Sequence, residues 1–90
     1  MITRRIVHFT GRVQGVGFRY TTCDVAASYR VTGYVRNLAD GRVEMVAEGE
    51  PEEIDRLVAA VSDRMPDYIR EVATHDLPAT GEFIDFRISY

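Results

Sequence analysis

From Ile2 to Thr10 the chain is β-branched and aromatic, with Ile6, His8 and Thr10 on one face and Val7 and Phe9 on the other; this period of two predicts a strand. The alternation then breaks into a glycine-rich loop from Gly11 to Gly17. Phe18, Thr22, Val25, Ala26 and Tyr29 recur at helical spacing and form the core stripe of a first helix. Val31 to Leu38 and Arg42 to Glu48 read as two strands joined by Ala39-Asp40-Gly41, and Asp-Gly between two β patterns is a strong hairpin signal. A second helix opens at Pro51, which a first turn tolerates, with Glu52 and Glu53 suited to the positive helix start. Ile54, Leu57, Val58 and Val61 are its buried stripe, and Pro66 stops it. Tyr68 to Leu77 predicts a fourth strand. A turn around Pro78 to Gly81 leads to an alternating final strand through Ile84, Phe86, Ile88 and Tyr90.

The order is strand, helix, strand, strand, helix, strand, with a short extra strand. Each helix has the length of about twelve residues that a crossover connection needs, and such crossovers are right-handed. The natural closure is an α+β, ferredoxin-like split βαβ sandwich (βαββαβ plus the extra strand), an antiparallel sheet with two helices on one face. Ninety residues make one domain, 1–90, without repeat or linker. This architecture hosts many unrelated activities, so the fold alone assigns none.

Composition removes several classes of function. A hydrophobic content of 46% supports a core without staples, and the single Cys23 forms no internal disulfide, which suits a reducing cytoplasm. No apolar run approaches the roughly 20 residues of a membrane span, and no leader pattern opens the chain. The expectation is a soluble, unprocessed, cytoplasmic monomer that acts on its own, with no membrane partner. A net charge of −3 argues against sequence-independent nucleic-acid binding. All eleven basic residues are Arg, so no lysine is present to serve as Schiff base, general base or phosphate-loop cation.

The informative segment is Gly11-Arg12-Val13-Gln14-Gly15-Val16-Gly17-Phe18-Arg19, between the first strand and the first helix. Glycines let backbone amides approach a ligand, and amides converging at a helix start make an anion site. The same glycines serve equally in a tight turn. A Walker loop would need Gly-Lys-Ser/Thr, and a dinucleotide fingerprint would need a small residue at Tyr20; both fail. Arg19 is out of place in a first helical turn, where the dipole disfavours a cation by a few tenths to about 1 kcal/mol unless an anion is bound. Its guanidinium fork matches two phosphate oxygens. Asn37 ends the second strand, where it either starts the turn or offers a carboxamide to a water molecule.

Together with Thr32-Gly33-Tyr34-Val35-Arg36-Asn37-Leu38, Asp40-Gly41-Arg42-Val43-Glu44 and the tail Thr80-Gly81-Glu82-Phe83 to Phe86-Arg87-Ile88, this segment resembles the acylphosphatases over essentially the whole chain. The resemblance implies hydrolysis of small acyl phosphates to a carboxylate and inorganic phosphate, without metal or other cofactor. It implies that Arg19 binds the phosphate and Asn37 orients the attacking water. It also implies a cradle formed by the backbone amides of Gln14, Gly15, Val16, Gly17, Phe18 and Arg19, with inorganic phosphate as a product inhibitor. Tyr34 stands where many members carry Trp, a conservative aromatic change. Asn is no base at neutral pH, and the resemblance implies that the water proton passes to the substrate phosphate itself.

Other reactive residues are set aside. His8 reads as a sheet-face residue, His75 has no partners at metal-ligand spacing, and Cys23 shows no sign of activation. Glu48, Glu50, Glu52 and Glu53 read as a solvated helix start. Two rivals to the enzyme remain to be weighed. A non-catalytic anion-binding module of the same fold would lack turnover of a synthetic acyl phosphate. An RNA-binding domain would need stacked aromatics and a basic face, and Val43-Glu44-Met45-Val46-Ala47-Glu48 offers acids and aliphatics instead.

Overall fold

The computed structural model describes every residue from Met1 to Tyr90. They form β1 (Thr3–Gly11), α1 (Phe18–Ala26), β2 (Val31–Asn37), β3 (Val43–Gly49), α2 (Pro51–Arg64), β4 (Ile69–Pro78) and β5 (Phe86–Ile88). The period-two pattern decides which strand face is covered. Val7 and Phe9 of β1, Val31 and Val35 of β2, and Val43, Met45 and Ala47 of β3 are all buried. Phe18 and Val25 of α1, and Ile54, Leu57 and Val61 of α2, close over them in one core. Both helices therefore lie on the same face of the sheet, as the split βαβ pattern requires. α1 is shorter than its apolar spacing suggests. Bonds from Ser28 N to Val25 O and from Tyr29 N to Ala26 O tighten its end, and Tyr29 packs against the core from the turn beyond.

The sheet order is β4-β1-β3-β2-β5. Pairings β1–β3, β1–β4 and β2–β3 are antiparallel, but β5 runs parallel to β2, with Gly33, Tyr34 and Val35 opposite Phe86, Arg87 and Ile88. The sheet is thus mixed, which corrects the expectation of an antiparallel one. The reason is topological. β4 ends at the sheet end where β2 begins, and the chain crosses there to the far edge, so β5 must run back in the sense of β2.

The crossing segment lies over the face away from the helices, and its anchor is Glu48. This residue is 4% exposed, so it belongs to no solvated helix start. Its carboxylate accepts bonds from the amides of Thr80 (2.8 Å) and Gly81 (2.9 Å), from Thr80 Oγ1 (3.1 Å) and from Arg4 Nε (2.8 Å). Burial pushes the Glu48 carboxyl up, but these donors outweigh it and hold the group down at about 2. Arg4 also bonds Glu82 and stacks over Phe83, 4.9 Å from its ring centroid. On the same face His8 Nε2 meets Glu44 Oε2 at 2.9 Å, the sheet-face position expected for it.

Candidate active site

The end of the sheet opposite that crossing gathers the C-termini of β1, β2 and β5 with the start of α1. The loop from β1 to α1 is pinned at both ends by side chains. Val13 is 1% exposed and Phe18 is 2% exposed, the latter with its ring 4.9 Å from that of Phe9. Between these anchors the backbone arcs out to solvent, and Gly15 (φ 77°) and Gly17 (φ 79°) take left-handed conformations that other residues adopt at a cost. A Cβ at either glycine would meet nothing within 4 Å, so conformation and not space selects glycine. Left-handed residues set among ordinary ones turn successive amides to one concave side, the arrangement known as a nest. No amide from Gln14 to Tyr20 donates to a backbone carbonyl. Gly17 caps α1 without a side-chain bond, and no acidic residue occupies the first turn.

Arg19 sits in that first turn and forms no ion pair with a carboxylate. Its guanidinium carbon lies 5.3 Å from the centroid of the Tyr90 ring. Asn37 reaches the same place by strand alternation. Val31, Gly33 and Val35 face the helices, and Asn37 is the next residue of that set, exposed because β2 has run past the core. A cavity of about 230 Å³ joins Arg19 and Asn37 with Gly15, Gly17, Phe18, Val13, Tyr20, Ile88 and Tyr90. Of the residues expected to form the amide cradle, Gln14 and Val16 do not line it. Gln14 instead sends its side chain sideways, Nε2 donating to Leu38 O (2.8 Å) and Arg42 O (3.0 Å). A wider groove of about 570 Å³ between Arg12, Arg42 and Arg70 contains neither Arg19 nor Asn37.

Ile88 and Tyr90 were invisible as site residues in the sequence. Their alternation signals a strand, but nothing local says that this strand joins β2 in parallel and so delivers its end to α1. Cys23 lies away from the cavity, and burial, then the charge of Asp85, pushes its thiol up, which leaves it a poor nucleophile.

The acylphosphatase family model matches residues 5–88. The chain belongs to the acylphosphatase family. An acylphosphatase of Paenarthrobacter aurescens (strain TC1) is 48% identical over 86 residues, 94% of this chain and 92% of that one. One from Marinobacter nauticus (strain ATCC 700491 / DSM 11845 / VT8) is 47% identical over 83 residues, 90% and 89% of the two chains. The crystal structure of the acylphosphatase from Bacillus subtilis has the same fold, with a TM-score of 0.86, 35% identity and 100% of both chains covered. Membership of the acylphosphatases makes this protein an enzyme that hydrolyses the acid-anhydride bond of acyl phosphates. No helix is long and apolar enough to cross a membrane.

Proposed function

We propose that this acylphosphatase works without a metal ion, with Arg19 binding the phosphoryl group and Asn37 holding the water. The observation that carries this reading is one cavity that unites an unpaired guanidinium, a strand-end carboxamide and a nest of amides without backbone acceptors. Arg19 donates two N–H bonds to two phosphoryl oxygens, and amides of the loop from Gln14 to Arg19, with Gly15, Gly17, Phe18 and Arg19 lining the cavity, surround the rest of the group. An occupied cradle also reverses the unfavourable contact between Arg19 and the helix dipole.

Asn37 accepts a hydrogen bond from a water held in line with the bond to be broken. The water oxygen bonds to phosphorus, the bond from phosphorus to the acyl oxygen breaks, and a carboxylate leaves with the electron pair. A carboxylate is a good leaving group, so no acid has to protonate it. Asn37 is no base, and the water proton passes to a phosphoryl oxygen. The lining residues include no carboxylate, imidazole or thiol side chain, a donor set ill-suited to a catalytic divalent ion. Stabilising charge and positioning water suffice for a loose phosphoryl-transfer transition state. The product phosphate keeps the group that the cradle holds, so it competes with substrate. All lining groups come from one chain, so a monomer is sufficient.

Arg19→Ala tests the reading. Removing one preorganised donor costs ~10²–10³ in rate, and a doubly bonded cation should cost at least that. Turnover of benzoyl phosphate should fall below detection, and inhibition by inorganic phosphate should vanish with it, while circular dichroism stays native. Arg19→Lys should also be poor, because an ammonium offers no planar fork. Wild-type turnover in the lysine variant would show that a point charge is enough.

A further inference from the structure

Gln14 is half-buried, and its carboxamide is used on one side only: Nε2 spends both of its N–H groups, on Leu38 O at 2.8 Å and on Arg42 O at 3.0 Å. Those two carbonyls close the β2–β3 hairpin. Arg42 O also accepts Leu38 N at 2.8 Å, and Leu38 O accepts Gly41 N at 3.2 Å. Each oxygen thereby has two donors, and Gln14 fits the place that the hairpin leaves for one NH₂ group. Leu38 directly follows Asn37, whose register partner is Val43, the neighbour of Arg42. Gln14 opens the run of amides that turns around Gly15 and Gly17. The two bonds therefore tie the first residue of the nest to Leu38, which follows Asn37, and to Arg42 across the hairpin. The hairpin does not need this tie, since its own bonds and the Asp40 Oδ1 bond to Arg42 N close it.

We propose that the Gln14 side chain is a positioning residue for the hydrolysis, a ruler that sets the distance between the phosphate cradle and the Asn37 carboxamide. The inference rests on the reading of Asn37 as the water-holding group. In-line attack tolerates little error: a misplacement of about 1 Å costs up to about a hundredfold in rate. Loss of the ruler lets Asn37 and the bound phosphoryl group drift relative to one another while each remains present. The signature is a fall in kcat with phosphate affinity kept, and it depends on Asn37 being there.

The experiment is a double-mutant cycle on benzoyl phosphate hydrolysis, with the inhibition constant of inorganic phosphate measured for every variant. Gln14→Met keeps length and neutrality but donates nothing; Gln14→Asn keeps the amide but is one methylene too short to reach both carbonyls. Each should lower kcat about ten- to a hundredfold and leave phosphate inhibition and the melting temperature nearly unchanged. In an Asn37→Ala background the same changes should cost almost nothing further, because there is no carboxamide left to place. The inference is overturned if both Gln14 variants keep wild-type kcat, if their losses multiply with that of Asn37→Ala, or if phosphate inhibition weakens in step with kcat. Asn37→Ala alone reads the underlying assignment: unchanged kcat there rejects the water-holding role, whatever Gln14 does.

Discussion

At Arg19 the electrostatics of an empty helix start are unfavourable, and the fold supplies no carboxylate to relieve them. The side chain is instead steadied from the side by the Tyr90 ring, 5.3 Å away. A cation–π contact of this exposed kind is worth about 0.5–1 kcal/mol, comparable with the dipole penalty, so the two roughly offset. The residue is thus held near the nest without being neutralised. Asn37 poses the sharper question at this scale. If it only orients water, Asn37→Ala should lower kcat sharply and leave inhibition by inorganic phosphate nearly intact, since Arg19 and the amides remain. Losses of that form mark an interaction realised mainly in the transition state. Asn37→Asp should be no rescue. It keeps the size but sets a negative charge against a phosphate dianion, and like charges at 4 Å repel by about 4 kcal/mol per unit pair near a protein surface. Both affinity and turnover should weaken. Full kcat in Asn37→Ala would return Asn37 to the role of a turn residue.

Among the elements, the segment between β4 and β5 was the least legible in the sequence. The strands of the core announced themselves through Val7, Phe9, Val35 and Met45, because burial on one face imposes a period of two. The helices did so through Phe18, Ile54 and Leu57. The crossing segment has no period, and its anchor Glu48 looks like one more acid before a helix. Only the register of β3, which sets Glu48 opposite Arg4 and Thr32, brings that carboxylate beneath the Thr80 and Gly81 amides. A carboxyl held at about 2 in the folded chain, below its ordinary unfolded value, stabilises the fold above that unfolded value. The contribution is lost as the pH falls from about 5 towards 2. Glu48→Gln should therefore lower the melting temperature near neutral pH and make its decline between pH 5 and pH 2 shallower. Some slope should persist, because Glu44, Asp76 and Glu82 are also held below their usual range. A variant with an unaltered acid profile would remove Glu48 as the anchor of the crossing.

In the molecule as a whole, the site is a product of topology. The loop motif and Arg19 were readable because glycine spacing and a misplaced cation are local signals. Asn37 was ambiguous, since a turn and a water site ask for the same side chain. The contributions of Ile88 and Tyr90 depend on β5 running parallel to β2, and the Gln14 bridge depends on the loop lying against the hairpin; both are contacts between segments far apart in sequence. On the proposed reading the resulting cavity supplies charge stabilisation and positioning, and its lining residues include no carboxylate, imidazole or thiol side chain. The direct measurement is hydrolysis of benzoyl phosphate by protein stripped with a strong chelator and assayed with the chelator present, beside p-nitrophenyl phosphate. Undiminished turnover of the acyl phosphate, with little on the monoester, is the predicted result. Activity that disappears in chelator and returns with a divalent ion would contradict the account.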